Sequence, residues 1–434
     1  MRDILVIALV LAGSIAALRR PWIGIMLWTW LSIMNPHRYT YGIAYSAPLA
    51  AVAVGATVFG LLLTRDRESP FKGAPVNLFV AFVCWITLSW LIGLDVSGDF
   101  DAWKRVMKID IMILVALMVL NSKQHIFALA WVATGSLAIL GVKGGLFTIV
   151  TGANHRVWGP PGSYIDDNNA FALALVMAIP LLRFLQLQIQ QRWVRVTLTV
   201  TMLFCTASAL GSYSRGALLA VAAMVVTLWW RGKNKFRTGL LFVAFAFPLL
   251  AFMPAEWVAR MDTINTYEAD ASAMGRIGAW WNSWNIALHY FAGVGFNTAT
   301  PELFAKFSPF PDAVLVAHSI YFQILGNHGF PGLLLFLGIW FFTWQSAGWL
   351  RNQKNLTSEL KWTADLGAMC QVSLIGYLVG GAFLSLAYFD LPYNIMVLVV
   401  LTRVWVLKKK WLTEPVYPTG WKTIPGLALP PKKV

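Results

Sequence analysis

Apolar runs close to membrane length recur from one end of this chain to the other. A helix needs about 20 predominantly apolar residues to cross the hydrocarbon core of a bilayer. In lipid, only helices and closed barrels satisfy all of their backbone hydrogen bonds. The pattern therefore predicts an all-α polytopic membrane protein in which residues 1–434 form a single transmembrane domain.

The apolar runs predict about 12 transmembrane helices. Arg19, Arg20 and Pro21 divide residues 4–34 into two short pieces. These pieces form either a shallow hairpin or one broken crossing, so the total is 12 or 13, and we favour 12. The other predicted spans are 46–63, 75–94, 106–120, 125–142, 168–185, 196–211, 215–230, 238–253, 317–348, 363–387 and 391–407.

Basic residues predict the orientation of these spans. A net charge of +15 in a soluble protein would suggest nucleic acid as a partner. Here the basic residues fall in loops on alternate sides of the helix series, as is typical of cytoplasmic loops beside anionic lipid, so we expect no nucleic acid. The basic loops are 64–72, Lys123, Arg192 with Arg195, 231–237, 351–361 and 408–410. One orientation makes all of them cytoplasmic, together with the tail 411–434.

The longest predicted segment outside the bilayer, residues 254–316, then lies on the opposite side, which is the periplasm if the membrane is a bacterial inner membrane. A tryptophan-rich stretch within it, residues 275–291, predicts an amphipathic helix. Its apolar side carries Ile277, Trp281, Trp284, Leu288 and Phe291. Such a helix lies in the headgroup layer, where it either anchors the chain or roofs a vestibule.

Arg215 lies in the first turn of a predicted helix on this outer side. A cation is mildly unfavourable there, because the helix dipole already makes that end positive. Ser212 or Ser214 fits the capping position. Free N–H groups, the dipole and a guanidinium together form an anion site suited to phosphate. The plainer alternative is an arginine that extends to the membrane interface.

Two further arginines fall in the outer segment. Arg276 opens the tryptophan-rich helix, and Arg260 lies sixteen residues earlier. Pairing with neighbouring carboxylates at the surface is the plainer alternative for both. Two arginines at helix starts on one side nevertheless suggest a clamp for a doubly charged phosphate group.

His318 and Ser319 open the stretch AHSIYFQILGNHGFPG, residues 317–332. A neutral imidazole at the outer mouth of a membrane helix suits general-base work on a sugar hydroxyl, although a hydrogen-bonded polar group is the plainer alternative. His328 lies about 15 Å further along a continuous helix, too far to share a metal. We expect a reaction without metal or cofactor.

These blocks resemble the bacterial O-antigen ligases, within the broader ligase and polymerase superfamily. The resemblance covers residues 205–335. It is carried by SRGALLA at 214–220, by the block 275–296, and by the spacing of His318, Ser319, Gly329 and Gly332. In addition, GPPGSYIDDNNAFAL at 159–173 is similar to a subgroup of O-glycosylation ligases.

The resemblance implies a GT-C-like membrane glycosyltransferase. Such an enzyme moves a glycan en bloc from undecaprenyl pyrophosphate to a sugar hydroxyl of lipid A–core at the periplasmic face. Its partners are this lipid-linked donor, the lipid A–core acceptor and membrane lipid. Position by position, Arg215 and Arg276 would bind the pyrophosphate, and His318 would activate the acceptor, with Ser319 as a supporting residue. Asp390 resembles a family acidic position on the outer face, which would orient an arginine or the acceptor. Arg260, as a further pyrophosphate ligand, and Arg156, as a supporting residue, are added from charge and side alone.

Three other functions share much of this pattern. An O-antigen polymerase uses the same donor with a second lipid-linked glycan as acceptor, and the spacing from His318 to Gly332 favours the ligase. A protein O-oligosaccharyltransferase differs only in using a Ser or Thr hydroxyl. A transporter of lipid-linked sugar would need ionisable residues near the midplane, whereas the candidate residues gather at one face.

Overall fold

The computed structural model describes residues 1–232, 234–262, 271–353, 357 and 359–414. Within these ranges the side chains of 238, 241, 242, 245, 246, 249, 250, 260, 262, 271 and 272 are not described. In the described ranges every regular element is helical, which confirms the predicted all-α class.

The helices follow one another along the whole described chain. The first eleven are α1 (Arg2–Arg19), α2 (Pro21–Met34), α3 (Ile43–Ser46), α4 (Leu49–Leu63), α5 (Ala74–Leu91), α6 (Phe100–Val119), α7 (Lys123–Val150), α8 (Asn168–Leu187), α9 (Arg192–Gly211), α10 (Arg215–Arg231) and α11 (Lys235–Ala251). They are followed by α12 (Ala255–Asp262), α13 (Ala271–His289), α14 (Pro301–Phe307), α15 (Ile320–Arg351), α16 (Lys361–Gly380) and α17 (Asp390–Leu407). Short 3-10 helices occupy Pro36–Tyr39, Gly381–Phe383 and Lys410–Leu412.

Among the described residues, seven helices are long and apolar enough to cross a membrane. They are Ala74–Leu91, Lys123–Val150, Asn168–Leu187, Arg192–Gly211, Ile320–Arg351, Lys361–Phe383 and Asp390–Leu407. Two shorter apolar helices, Pro21–Met34 and Leu49–Leu63, and the 17-residue α10 and α11 fall below that length. The chain is therefore a multi-pass membrane protein, and the total of 12 spans stays a prediction.

The first two helices form an antiparallel hairpin rather than one broken crossing. The chain turns at Arg20, and Pro21 starts α2 at the position where proline suits a helix. Asp3, at the start of α1, accepts hydrogen bonds from the backbone N–H groups of Gly42 and Ala44 at 3.0 and 3.1 Å. Both of those residues follow the end of α2, so the start of α1 lies beside the end of α2.

The loops gather at two ends of the helix bundle. We call one end the basic face, formed by residues 64–73, 120–122, 188–191, 359–360 and 408–414. There Lys408 and Lys410 bind the carboxylate of Glu68 at 3.0 and 3.1 Å. The Nε2 group of Gln188 also donates to Asp365 at 3.0 Å on this face. Loops that the charge pattern placed together on one side are thus in contact.

We call the other end the site face, formed by residues 35–42, 92–99, 151–167, 212–214, 290–300, 308–319 and 384–389. Its loops are joined by backbone hydrogen bonds from Leu94 to Val294 and from Val157 to Gly211, at 3.1 and 3.2 Å. Successive long helices run between the two faces in alternating directions, as predicted. Which face meets the periplasm stays a prediction.

Helix α16 holds the helices of the site together at the site face. It packs against α8, α10 and α15. A Cβ atom added at Gly380 would lie 2.5 Å from Leu173 of α8 and 3.1 Å from Ala220 of α10. One added at Gly381 would lie 2.7 Å from Ile320 of α15. These two glycines therefore allow three helices to meet around one point.

Helix α15 is broken at Gly329, where φ is 66° and ψ is −173°. Just before the break, the buried His328 ring contacts Ser89 Oγ at 2.9 Å through Nδ1 and the Tyr388 hydroxyl at 2.6 Å through Nε2. A Cβ atom at Gly329 would collide with the carbonyl oxygen of Phe291. The break at Gly329 therefore separates a short helical segment, residues 320–328, from the rest of α15. This segment begins directly after His318 and Ser319.

We expect Gly329→Ala to lower the melting temperature of the purified protein. The backbone conformation of Gly329 is essentially restricted to glycine, and an L-residue there costs about 1–3 kcal/mol even before any collision. Gly135→Ala is the matched control, because a Cβ atom there meets nothing within 4 Å and alanine favours a helix interior. Thermal unfolding in detergent tests this, and equal melting temperatures for the two variants would contradict a structural need for glycine at 329.

Candidate functional site

The N-termini of α8, α10 and α15 converge at the site face around Gly380 and Gly381. Each helix start leaves backbone N–H groups without intrahelical partners and carries a partial positive charge. Asp167 caps α8 by accepting from the N–H groups of Asn169 and Ala170 at 2.9 and 3.2 Å. Helix starts favour negative charge, and at α8 the Asp167 carboxylate already supplies it.

Arg215 is the first residue of α10, as the sequence predicted, and its side chain is half-buried. Of the two predicted capping residues, Ser214 is the one that caps: its hydroxyl accepts from the N–H of Ala217 at 3.2 Å. The carbonyl of Ser212 instead accepts from Asn168 Nδ2 at 2.6 Å. The turn before Arg215 is thereby fixed to the start of α8.

His318 lies directly before α15 in a backbone conformation that is rare for residues other than glycine, with a φ of 42°. The neighbouring Ala317 carbonyl accepts from Trp280 Nε1 at 2.7 Å, and Trp280 stacks on Phe322 with ring centroids 5.3 Å apart. Strained residues of this kind cluster at functional sites. The surrounding contacts hold His318 at the mouth of the site.

The electrostatic surroundings of His318 keep its imidazole neutral. Its side chain is half-buried, and this burial is the main cause that lowers the pKa below the ordinary 6.5. The guanidinium of Arg276 lowers the pKa further, whereas the carboxylate of Asp167 raises it. A neutral imidazole near pH 7 can accept a proton from a hydroxyl group.

Aromatic contacts connect the start of α10 with the His318 region. A Cβ atom at Gly216 would lie 3.5 Å from Phe383 Cβ. The Phe383 ring lies 6.3 Å from the ring of Trp280, one turn after Arg276 in α13. The structure thus brings Arg276 within electrostatic range of His318 and places the backbone of Arg215 on the same patch.

Residues 200–337 match a family model described as O-antigen ligase. This segment contains Arg215, Arg276, His318 and the break at Gly329. This match supports membership of the O-antigen ligase family. Residues 1–190 match a second model, described as a family of unknown function (DUF5935). The comparison with curated proteins gave no match.

The ligase-family segment includes α13, which confirms the predicted helix over 275–291. Its tryptophan-rich stripe points away from the protein, since Trp281, Trp284, Leu288 and Phe291 are all exposed. The side that faces the protein carries polar as well as apolar residues: Asn282 and Asn285 donate to the carbonyls of Thr298 and Phe307, each at 2.9 Å, and Ile286 is fully buried. This arrangement leaves the stripe free to meet a lipid headgroup layer.

Asp390 is the first residue of α17 and lies beside α2 and α6. It is 2 % exposed, and one carboxylate oxygen accepts from the hydroxyl of Ser32. A second carboxylate, that of Asp110 in α6, lies near Asp390. Its predicted role, to orient an arginine or the acceptor, stays a prediction.

The remaining predicted residues differ in how much the structure says of them. Arg156 is exposed, and its guanidinium lies 5.7 Å from the ring of Tyr213, beside the turn that leads to Arg215. Ser319 is 1 % exposed and occupies the N-cap position of α15 without a side-chain capping bond. The side chain of Arg260 lies outside the described residues.

Sequence reasoning missed the part that the N-terminal region plays in this site. Asp167 and Asn168 come directly before an apolar run, which is a recognisable helix-start signal. That signal predicts the start of α8 but not its closeness to His318 or to the 212–214 turn. Within the described ranges, no three His, Cys, Asp or Glu side chains meet as metal ligands. The expectation of a metal-free reaction stays a prediction.

Proposed function

We propose that this protein is an O-antigen ligase, which transfers a glycan en bloc from undecaprenyl pyrophosphate to a sugar hydroxyl of lipid A–core. One observation carries the proposal: the starts of α8, α10 and α15 are grouped near Arg215, Arg276 and His318, and these three residues lie inside the segment that matches the ligase family. Such a site offers positive charge to an anion and a neutral base beside it.

The positive charge suits the diphosphate of the donor. Transfer breaks the bond between the anomeric carbon and the phosphate oxygen, so negative charge grows on the departing diphosphate. Arginines and helix N-termini fixed in advance at that position stabilise the transition state more than the ground state. They supply the electrophilic help that a metal ion supplies in other enzymes.

The base suits the acceptor. His318 takes the proton of the acceptor hydroxyl while the oxygen forms its bond to the anomeric carbon, opposite the leaving diphosphate. This single displacement inverts the anomeric configuration and needs no covalent intermediate with the enzyme. The proton stays on the imidazole until water or the released diphosphate accepts it.

The charge distribution supports a periplasmic location for this chemistry. Lysine and arginine concentrate on the basic face, where Lys408 and Lys410 meet Glu68. Cytoplasmic loops of membrane proteins carry such an excess. With the basic face in the cytoplasm, the site face lies at the periplasmic side of the inner membrane.

Reconstitution tests the proposed activity. The purified protein is placed in proteoliposomes with undecaprenyl-pyrophosphate-linked glycan, lipid A–core and a chelator, without ATP. We expect the acceptor mass to rise by a whole glycan and undecaprenyl pyrophosphate to be released. Extension of a second lipid-linked glycan would identify a polymerase, and transfer to Ser or Thr would identify a protein ligase. Movement of donor across the bilayer without a new bond would identify a transporter.

The pH dependence of transfer should report the neutral base. Because the pKa of His318 is lowered below 6.5, the imidazole is neutral at pH 7 and above. Transfer rates should therefore be flat from pH 7 upward and fall on the acid side, with a midpoint below 6.5. Initial rates from pH 5 to 8.5 measure this, and a rate that rises on acidification would contradict a base at His318.

A further inference from the structure

The stretch GPPGSYIDDNNAFAL contains two adjacent carboxylates, Asp166 and Asp167, that the reaction described above does not use. Both belong to the part of the chain that matches a family of unknown function. We propose that the Asp167 carboxylate is the electrostatic partner of His318, a positioning residue that the N-terminal region contributes to the ligase site. This inference rests on the proposed function for its catalytic meaning.

Helices α8 and α15 both pack against α16, and they meet adjacent residues at its site-face end. Leu173 of α8 lies against Gly380, and Ile320 of α15 lies against the next residue, Gly381. Asp167 lies six residues before Leu173, and His318 lies two residues before Ile320. Both residues therefore lie where these two helices open onto the site face.

The loop that leads to Asp167 is fixed on both sides. Before it, the N–H of Gly159 donates to the Asp166 carbonyl at 3.1 Å, so the loop folds back on itself. After it, Asn168 is bonded to the Ser212 carbonyl at 2.6 Å, in the turn before Arg215. One Asp167 carboxylate oxygen, Oδ1, accepts both capping bonds of α8. These hydrogen bonds hold the carboxylate in one position, and the Asp167 side chain is half-buried.

Two charged groups among the described residues act on His318, and they oppose each other. Arg276 on α13 disfavours a protonated imidazole, and Asp167 favours it. During transfer the imidazole gains the proton of the acceptor hydroxyl and becomes a cation beside Arg276. A fixed carboxylate offsets that repulsion and stabilises the imidazolium as it forms. Asp167 therefore lets one site hold a cationic clamp and a base close together.

Asp167→Asn tests this directly, because asparagine is an equally good capping residue and removes only the charge. Asp166→Asn is the matched control: it removes the same charge one residue away, from an exposed side chain. For Asp167→Asn we expect about a tenfold lower kcat, an acid limb of the pH profile moved to lower pH, and an unchanged melting temperature. Asp166→Asn should match the wild type in all three.

The direction of the pH shift separates the proposal from a purely structural role. Loss of a nearby negative charge lowers the pKa of His318, so the base stays neutral to a lower pH. An unchanged acid limb in Asp167→Asn would overturn the proposal, whatever the change in kcat. Asp167→Glu should restore the acid limb.

The pKa of His318 can be measured without any transferase activity, by NMR titration of protein labelled with ¹³C-histidine. This measurement tests the inference separately from the proposed function. The His318 resonance is assigned by its loss in His318→Asn. We expect a lower pKa in Asp167→Asn than in the wild type and in Asp166→Asn. Equal values would overturn the inference, even if the wild type transfers glycan. A shift in a protein that transfers no glycan would support the pairing and reject only the proposed function.

Discussion

Replacing His318 with alanine is expected to reduce glycan transfer about 10²- to 10⁴-fold, the range that a general base contributes. Without the imidazole, nothing removes the proton of the acceptor hydroxyl as the new bond forms. Donor binding should change little, because His318 is not part of the arginine clamp. Transfer rates and donor affinity, both measured on the reconstituted protein, separate these effects.

Two further variants make this result interpretable. His318→Asn keeps a residue that tolerates the left-handed backbone, with its φ of 42°, and still lacks a base, so it should be as inactive as the alanine variant. His289→Ala removes an exposed histidine of α13 and should retain full activity. Near-normal transfer by either His318 variant, in protein with a normal melting temperature, would contradict the assignment of the base.

Replacing Arg215 with alanine is expected to lower the transfer rate about 10²- to 10³-fold, comparable to the loss of one fixed group that stabilises transition-state charge. Arg215→Lys should recover little of this, because lysine lacks the planar fork that binds two phosphate oxygens. Rates at saturating and at limiting donor show whether the loss falls on the chemical step or on binding.

The chain provides a matched control for this arginine. Arg192 is likewise the first residue of its helix, α9, but that helix starts on the basic face, and its side chain is exposed. Arg192→Ala should leave transfer unchanged. A fully active Arg215→Ala variant would mean that Arg215 is an interfacial anchor and takes no part in donor binding.

Local signals predicted much of the fold and part of the site. Apolar runs located the long helices, and the serine before Arg215 indicated its helix start, because both depend on neighbouring residues alone. The division of residues 4–34 at Pro21 was also visible. The choice of a hairpin was not, because it depends on the contact between Asp3 and Gly42, thirty-nine residues apart.

The composition of the site was less predictable, because it depends on packing between distant segments. Gly380 and Gly381 look ordinary in the sequence, yet they let the ends of α8, α10 and α15 meet. The sequence predicts Asp390 on the outer face, but its burial against Ser32 of α2 depends on packing between distant helices. Asp167 carried only a capping signal, and its proximity to His318 follows from the way that two helices pack on α16.

A cryo-EM structure of the wild-type protein with undecaprenyl pyrophosphate bound tests the central claim most directly. We expect diphosphate density at the site face, between the side chains of Arg215 and Arg276 and beside the imidazole of His318, with the lipid tail running between helices. Diphosphate density at the basic face, or at the site face but out of reach of both arginines, would contradict this claim.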